Sequence, residues 1–87
     1  MEIKTGGVIL SLAGHDKGRL MLVVGAEGDR ILVADGKERK LASPKKKNKW
    51  HIRGTSYSID PEGLTDKKLR QTLKSLAKPQ STLQESE

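Results

Sequence analysis

Among the side chains that could do chemistry, His15 and Asp16 come first: they are adjacent and are followed directly by Lys17, Gly18 and Arg19. A histidine beside a carboxylate is the raw material of a metal site or a general acid–base pair. Both uses need more partners than the chain supplies. The only other histidine is His51, there is no cysteine, and no Asp or Glu stands at a recognisable metal-ligand spacing from the pair. The serines lie outside any nucleophile-elbow context. Gly6-Gly7 and Gly25-Ala26-Glu27-Gly28 lack the Gly-Lys-Ser or Gly-Lys-Thr ending of a phosphate loop. The expectation is a binder, not an enzyme, with no metal or cofactor and no small-molecule substrate.

Charge is the stronger chemical signal. The 87 residues hold 17 Lys and Arg against 11 Asp and Glu, a net charge of +6. The excess is concentrated between Lys37 and Arg53, where eight basic residues meet a single acid, Glu38, so that this segment alone carries +7 and the remainder is slightly acidic. Such segregation is the electrostatic footprint of a polyanion binder, because each cation that neutralises a phosphate releases a condensed counterion. The candidate phosphate contacts are Lys17, Arg19, Lys37, Arg39, Lys40, Lys45, Lys46, Lys47 and Lys49. Lys45-Lys46-Lys47 follows Ser43-Pro44 and reads as a loop in which a flexible ammonium cluster can follow a phosphate backbone. Lysine runs are often only a solvated face, and it is the one-sided distribution that favours binding here. Trp50, one of only two aromatics with Tyr57, interrupts the cluster. Period-two alternation places it on one face with Ile52, which assigns it to the core in preference to stacking on an unpaired base.

These residues need a scaffold, and a chain of this length holds one small domain with a modest core. Val8, Leu10 and Leu12 alternate with Ile9, Ser11 and Ala13 between Gly6-Gly7 and Gly14, the period of a strand. Leu20 to Val24 is apolar on both faces, as expected of a strand enclosed between a barrel interior and a cover. A turn at Ala26 to Asp29 leads to a strand from Arg30 to Ala34. Asp35-Gly36 then reads as a hairpin turn, Glu38 to Ala42 as a short polar edge strand, and Lys49 to Arg53 as the last strand. Five short strands closely spaced by turns point to a mainly β fold, a small five-stranded barrel.

From Thr65 the period changes. Leu69, Leu73, Leu76 and Ala77 share one face of a helix expected over residues 66–77. Thr65 stands at the capping position, Leu64 and Leu69 have staple spacing, and Asp66 lies near the positive end of the dipole. Lys74 and Lys78 lie near the negative end, and Pro79 stops the helix. So short a helix is expected to dock its leucine face on the barrel, with contact to RNA as the open alternative. One domain is expected over residues 1–78, with a flexible polar tail over 79–87. No apolar stretch approaches the roughly 20 residues of a membrane span. Met1 to Thr5 lacks the basic start and apolar core of a signal peptide. With no cysteine to protect, a cytoplasmic location without membrane contact is the expectation.

The stretch Gly7-Val8-Ile9-Leu10-Ser11-Leu12-Ala13-Gly14-His15-Asp16-Lys17-Gly18-Arg19-Leu20-Met21-Leu22-Val23-Val24 resembles the KOW motif: an alternating strand, a loop ending in Lys-Gly, and a second strand. Asp29 to Gly36 is similar to the motif's third strand. The continuation through Lys49-Trp50-His51-Ile52 and the C-terminal helix is similar to bacterial stand-alone KOW-domain RNA-binding proteins. These in turn resemble the large-subunit ribosomal protein fourteen of the archaeal and eukaryotic type. The resemblance covers residues 6–78. It implies an SH3-like barrel that binds RNA in a ribosomal or translation-related setting, with rRNA and ribosomal proteins as partners. Under it, Gly18 would permit the loop's turn while Lys17 and Arg19 meet phosphate. Many KOW sequences carry a second glycine shortly after the Lys-Gly pair, and here Arg19-Leu20-Met21 stands instead. That departure leans towards the ribosomal-protein-like branch and away from the transcription-elongation branch. Two alternatives stay open: a protein-interaction module docking on a ribosome or transcription component, and DNA binding through the same patch.

Overall fold

The computed structural model describes residues 3–77, so the tail expected over 79–87, with Lys78 and the helix stop at Pro79, lies outside the described residues. Five strands, β1 (Gly7–Ser11), β2 (Leu20–Glu27), β3 (Arg30–Ala34), β4 (Lys45–Asn48) and β5 (Ile52–Ser58), precede one helix, α1 (Asp66–Ala77). A single 3-10 turn, Lys49–His51, joins β4 to β5. The strands form one antiparallel sheet in the order β4-β3-β2-β1-β5.

That order forces the sheet to curl. Strands β4 and β5 are its two edges, and in a flat sheet they would lie four spacings of about 4.8 Å apart, roughly 19 Å. The connection from Asn48 to Ile52 spans four Cα steps, at most about 15 Å even when fully extended, and it is wound into a tight turn. Closure is helped by register shifts between Gly7 and Ile9 on β1 and between Val23 and Gly25 on β2, the irregularities that bend and twist strands. At the first of these the Thr55 hydroxyl donates to the Val8 carbonyl at 2.7 Å. The fold is mainly β, a five-stranded barrel with one C-terminal helix, as the patterning predicts, and its form is consistent with the SH3-like barrel that the resemblance implies.

Curling gives the sheet two buried faces. Ile9, Met21, Val23, Ile31 and Val33 fill the barrel, with Ile3 and Ile52 against them. On the outside, Val8, Leu22 and Ala34 meet Leu69 and Leu73 of α1. Burying a leucine fully is worth about 1.5–3 kcal/mol, so the helix is held mainly by this pair. Its first turn is capped by Thr65, whose hydroxyl accepts from the Lys68 amide at 3.2 Å, and Leu64 packs on the outer cluster beside it. The double burial accounts for β2 being apolar on both faces.

Three local expectations are corrected. Glu38 to Ala42 is not a strand but part of the irregular β3–β4 connection, while Lys45 to Lys47, expected in a loop, is strand β4. Arg30 pairs with Asn48, Ile31 with Lys47, Leu32 with Lys46 and Val33 with Lys45. The last strand begins at Ile52, because Lys49 to His51 winds into the 3-10 turn. Alternation therefore does not run through Trp50, and its ring, expected in the core, is 72% exposed.

Candidate nucleic-acid interface

The β1–β2 loop, which carries the Lys-Gly motif, is built around a buried carboxylate. Asp16 accepts from the Ser11 hydroxyl at 2.7 Å and from the Lys47 ammonium at 2.8 Å on the same oxygen, Oδ1. Lys45 Nζ reaches the other oxygen at 3.3 Å. Lys47 also donates to the Ala13 carbonyl at 2.8 Å, so it clamps the loop at two points. Burial opposes ionisation of Asp16, but hydrogen bonds from Lys47, Ser11 and Lys45 and the Lys47 charge outweigh it. They hold the carboxyl well below the usual carboxylate range. Positions 45 and 47 fall on one face of β4, opposite Val33 and Ile31 of the barrel interior. Their aliphatic stems lead inward and their ammonium groups end on Asp16.

This arrangement divides the predicted site residues. Lys47 is only 6% exposed and its charge is consumed within the fold, so the expectation that it faces a phosphate is corrected. Lys45 is half-buried against the same carboxylate. Lys46, on the opposite face of β4, is exposed and pairs with Glu27 at 3.0 Å. Lys17, Arg19, Lys37, Arg39, Lys40 and Lys49 are all exposed. Of these, Lys17, Lys37, Arg39 and Lys40 make no ion pair among the described residues, while Arg19 lies 3.8 Å from Asp35 and 3.6 Å from Glu38.

A second carboxylate shapes the β3–β4 loop. Asp35 Oδ1 accepts from the amides of Lys37 and Arg39, each at 2.9 Å, a local pattern that replaces the expected two-residue hairpin turn. Gly36 follows with φ of +78°, and a Cβ there would collide with the Asp66 carbonyl of α1. Two further bonds tie this loop to the helix: Arg70 donates to the Gly36 carbonyl at 3.0 Å, and the Leu41 amide donates to Asp66 at 2.7 Å.

The consequence is an open groove of about 690 Å³ between α1 and the two loops, lined among others by Gly18, Arg19, Asp35, Lys37, Arg70 and Lys74. Four cations from three separate elements converge there around one acid. Arg70 and Lys74 were absent from the sequence-derived candidates. They lie at i and i+4 on the polar side of α1, and that spacing, set against the leucine face, was the available signal. Lys49 lies elsewhere, with its Nζ 5.4 Å from the centre of the Trp50 ring. His15 is exposed on its loop, and among the described residues no group of three metal-ligating side chains occurs. Nor, among them, is any helix long and apolar enough to cross a membrane. No family model matches the chain, and no curated protein matches it significantly.

Proposed function

We propose that the protein is an RNA-binding module that engages the phosphate backbone of structured RNA. The observation that carries this reading is the convergence of Arg19, Lys37, Arg70 and Lys74 on one groove, extended by the exposed Lys17, Arg39 and Lys40 on the adjoining loops. Cations from two loops and the helix facing one concavity suit recognition by shape, since phosphate contacts position a protein without reading bases. The resemblance of residues 6–78 to KOW-domain proteins suggests a ribosome-associated setting with rRNA as the target.

The test is the affinity for rRNA fragments measured across salt concentrations, with duplex DNA as competitor. If about five phosphates are engaged, log affinity falls against log salt with a slope of roughly −3.5 to −4.5, and DNA competes poorly. A slope near zero, together with a protein partner still captured after nuclease treatment, would replace this reading with the protein-interaction module.

A further inference from the structure

Trp50 lies outside the groove, and its exposure calls for an explanation. Tryptophan is on average a highly buried residue, and this barrel contains only one other aromatic to fill its core. Yet the ring is 72% exposed while smaller aliphatic residues fill both clusters. Nor does it sit on a loose segment. The Asn48 side-chain oxygen accepts from the Trp50 amide at 2.8 Å. The His51 carbonyl accepts from Leu12 at 2.9 Å, and the Lys49 amide reaches the Asp29 carbonyl at 3.3 Å. The turn is thus tied to the residue that follows β1 and to the β2–β3 connection, and the ring is presented by a fixed backbone.

Its surroundings have the character of a site. Lys49, Ile3, Ile52 and Gly54 join the ring in lining a shallow depression of about 340 Å³, at the lower end of what small ligands occupy. The turn itself supplies an exposed cation, Lys49, with its Nζ 5.4 Å from the centre of the ring. The single acid paired here, Asp29, is itself largely exposed and lies 3.6 Å from Lys49, a contact that water and salt weaken. An apolar ring on a rigid turn, beside a cation and a small depression, is complementary to a flat aromatic group that carries a negative charge on its flank.

We infer that the Lys49–His51 turn is a stacking platform for one unpaired nucleobase, with Trp50 against the base and Lys49 meeting a flanking phosphate. This inference rests on the RNA-binding reading and deepens it: the preferred RNA presents an unstacked nucleotide in addition to folded backbone. Base–aromatic stacking tolerates any base, so the platform adds affinity for single-stranded character without adding sequence preference.

Trp50 is the only tryptophan in the chain, so its fluorescence reports the platform alone. The full chain is titrated with a short oligouridylate and with duplex RNA of equal length, following emission and anisotropy together. The oligouridylate is expected to quench Trp50, and the duplex to bind without quenching. W50A should weaken oligouridylate binding about five- to 150-fold, leave duplex affinity and salt slope unchanged, and melt like the parent because the ring is exposed. W50F should recover most of the loss. If both RNAs bind with a steep salt slope, without quenching and with no effect of W50A, the platform is refuted and the RNA-binding reading stands. If neither RNA binds at low salt, both are refuted.

Discussion

Strand β4 and the loop that precedes it carry the same kind of residue to opposite ends. Lys45 and Lys47 are drawn into the barrel end and neutralised on Asp16, while Lys37, Arg39 and Lys40 project from a loop whose backbone is held by Asp35. In both regions an aspartate organises the local structure. Asp16 does so through side-chain charges, Asp35 through main-chain amides. Where the carboxylate binds amides, the basic side chains stay available; where it binds ammonium groups, they become part of the scaffold. A run of positive charge is therefore two populations, and stability and binding should separate them.

The largest expected effect is at Lys47. K47M removes the buried counterion and leaves Asp16 enclosed without the nearer of its two cations, a change that typically costs about 3–5 kcal/mol. In a domain of this size that is a large share of total stability, and thermal unfolding followed by circular dichroism should show a drop of more than 10 °C, at about 4–8 °C per kcal/mol. The double variant D16A/K47M removes both charges together and should melt above K47M alone. If the double variant is worse by the sum of the single losses, Asp16 and Lys47 are not coupled and the clamp is misassigned.

The same carboxylate gives a pH dependence with a fixed sign. Because the Asp16 carboxyl titrates below its ordinary value in the fold, the unfolded chain takes up the proton first as pH falls. The stabilisation is complete above about pH 4, the ordinary aspartate range, and is lost progressively below it. D16N cannot titrate, so its deficit relative to the parent should be greatest near neutrality and shrink between pH 4 and 2. Urea unfolding at several pH values measures this directly, and a deficit that stays constant across that window would remove Asp16 as the acid-sensitive group.

The contrast between the two regions also marks how far the sequence could be read. Alternation at Val8 to Ala13, the doubly apolar Leu20 to Val24, and the leucine spacing from Leu69 are local patterns of burial, and each became the expected element, the first as a strand that ends at Ser11. The sequence carries no such pattern in Lys45-Lys46-Lys47-Asn48, whose strand character comes from pairing with β3 and whose inward lysines depend on a carboxylate 29 and 31 positions earlier. Long lysine stems make such burial possible, since the apolar part lies along the core and only the head needs a partner. Trp50 was misplaced for a related reason: a three-residue change of helical period just before β5 turned its side chain out of the face that alternation assigns. Of the candidate site, the loop cations were legible because net charge is local. Arg70 and Lys74 were marked only by their spacing opposite the leucine face; that they join the loop cations takes the docked helix, which brings them beside Lys37 and Arg19, 33 to 55 positions earlier in the chain.

The smallest effect on stability, and the sharpest use of the comparison, lies in the loop itself. Lys37 and Arg39 serve the Asp35 turn through their backbone amides, which alanine retains, so K37A/R39A/K40A should leave the loop in place. Exposed substitutions of this kind usually fall within about 0.5 kcal/mol, a shift of no more than roughly 4 °C. If these three cations each meet a phosphate, the salt slope for RNA should shrink by about 2.1 to 2.7, at 0.7–0.9 per contact. K46A is the matched control on β4: Lys46 and Glu27 form a pair in which both side chains are more than half exposed, so its loss should change stability little and the slope by less than one. A triple variant that melts normally but keeps the full slope would move the binding surface off this loop and leave the helix side of the groove, Arg70 and Lys74, to account for any affinity. A triple variant that unfolds would instead show that the loop cations, like Lys47, belong to the scaffold, and the division between the two regions would fail.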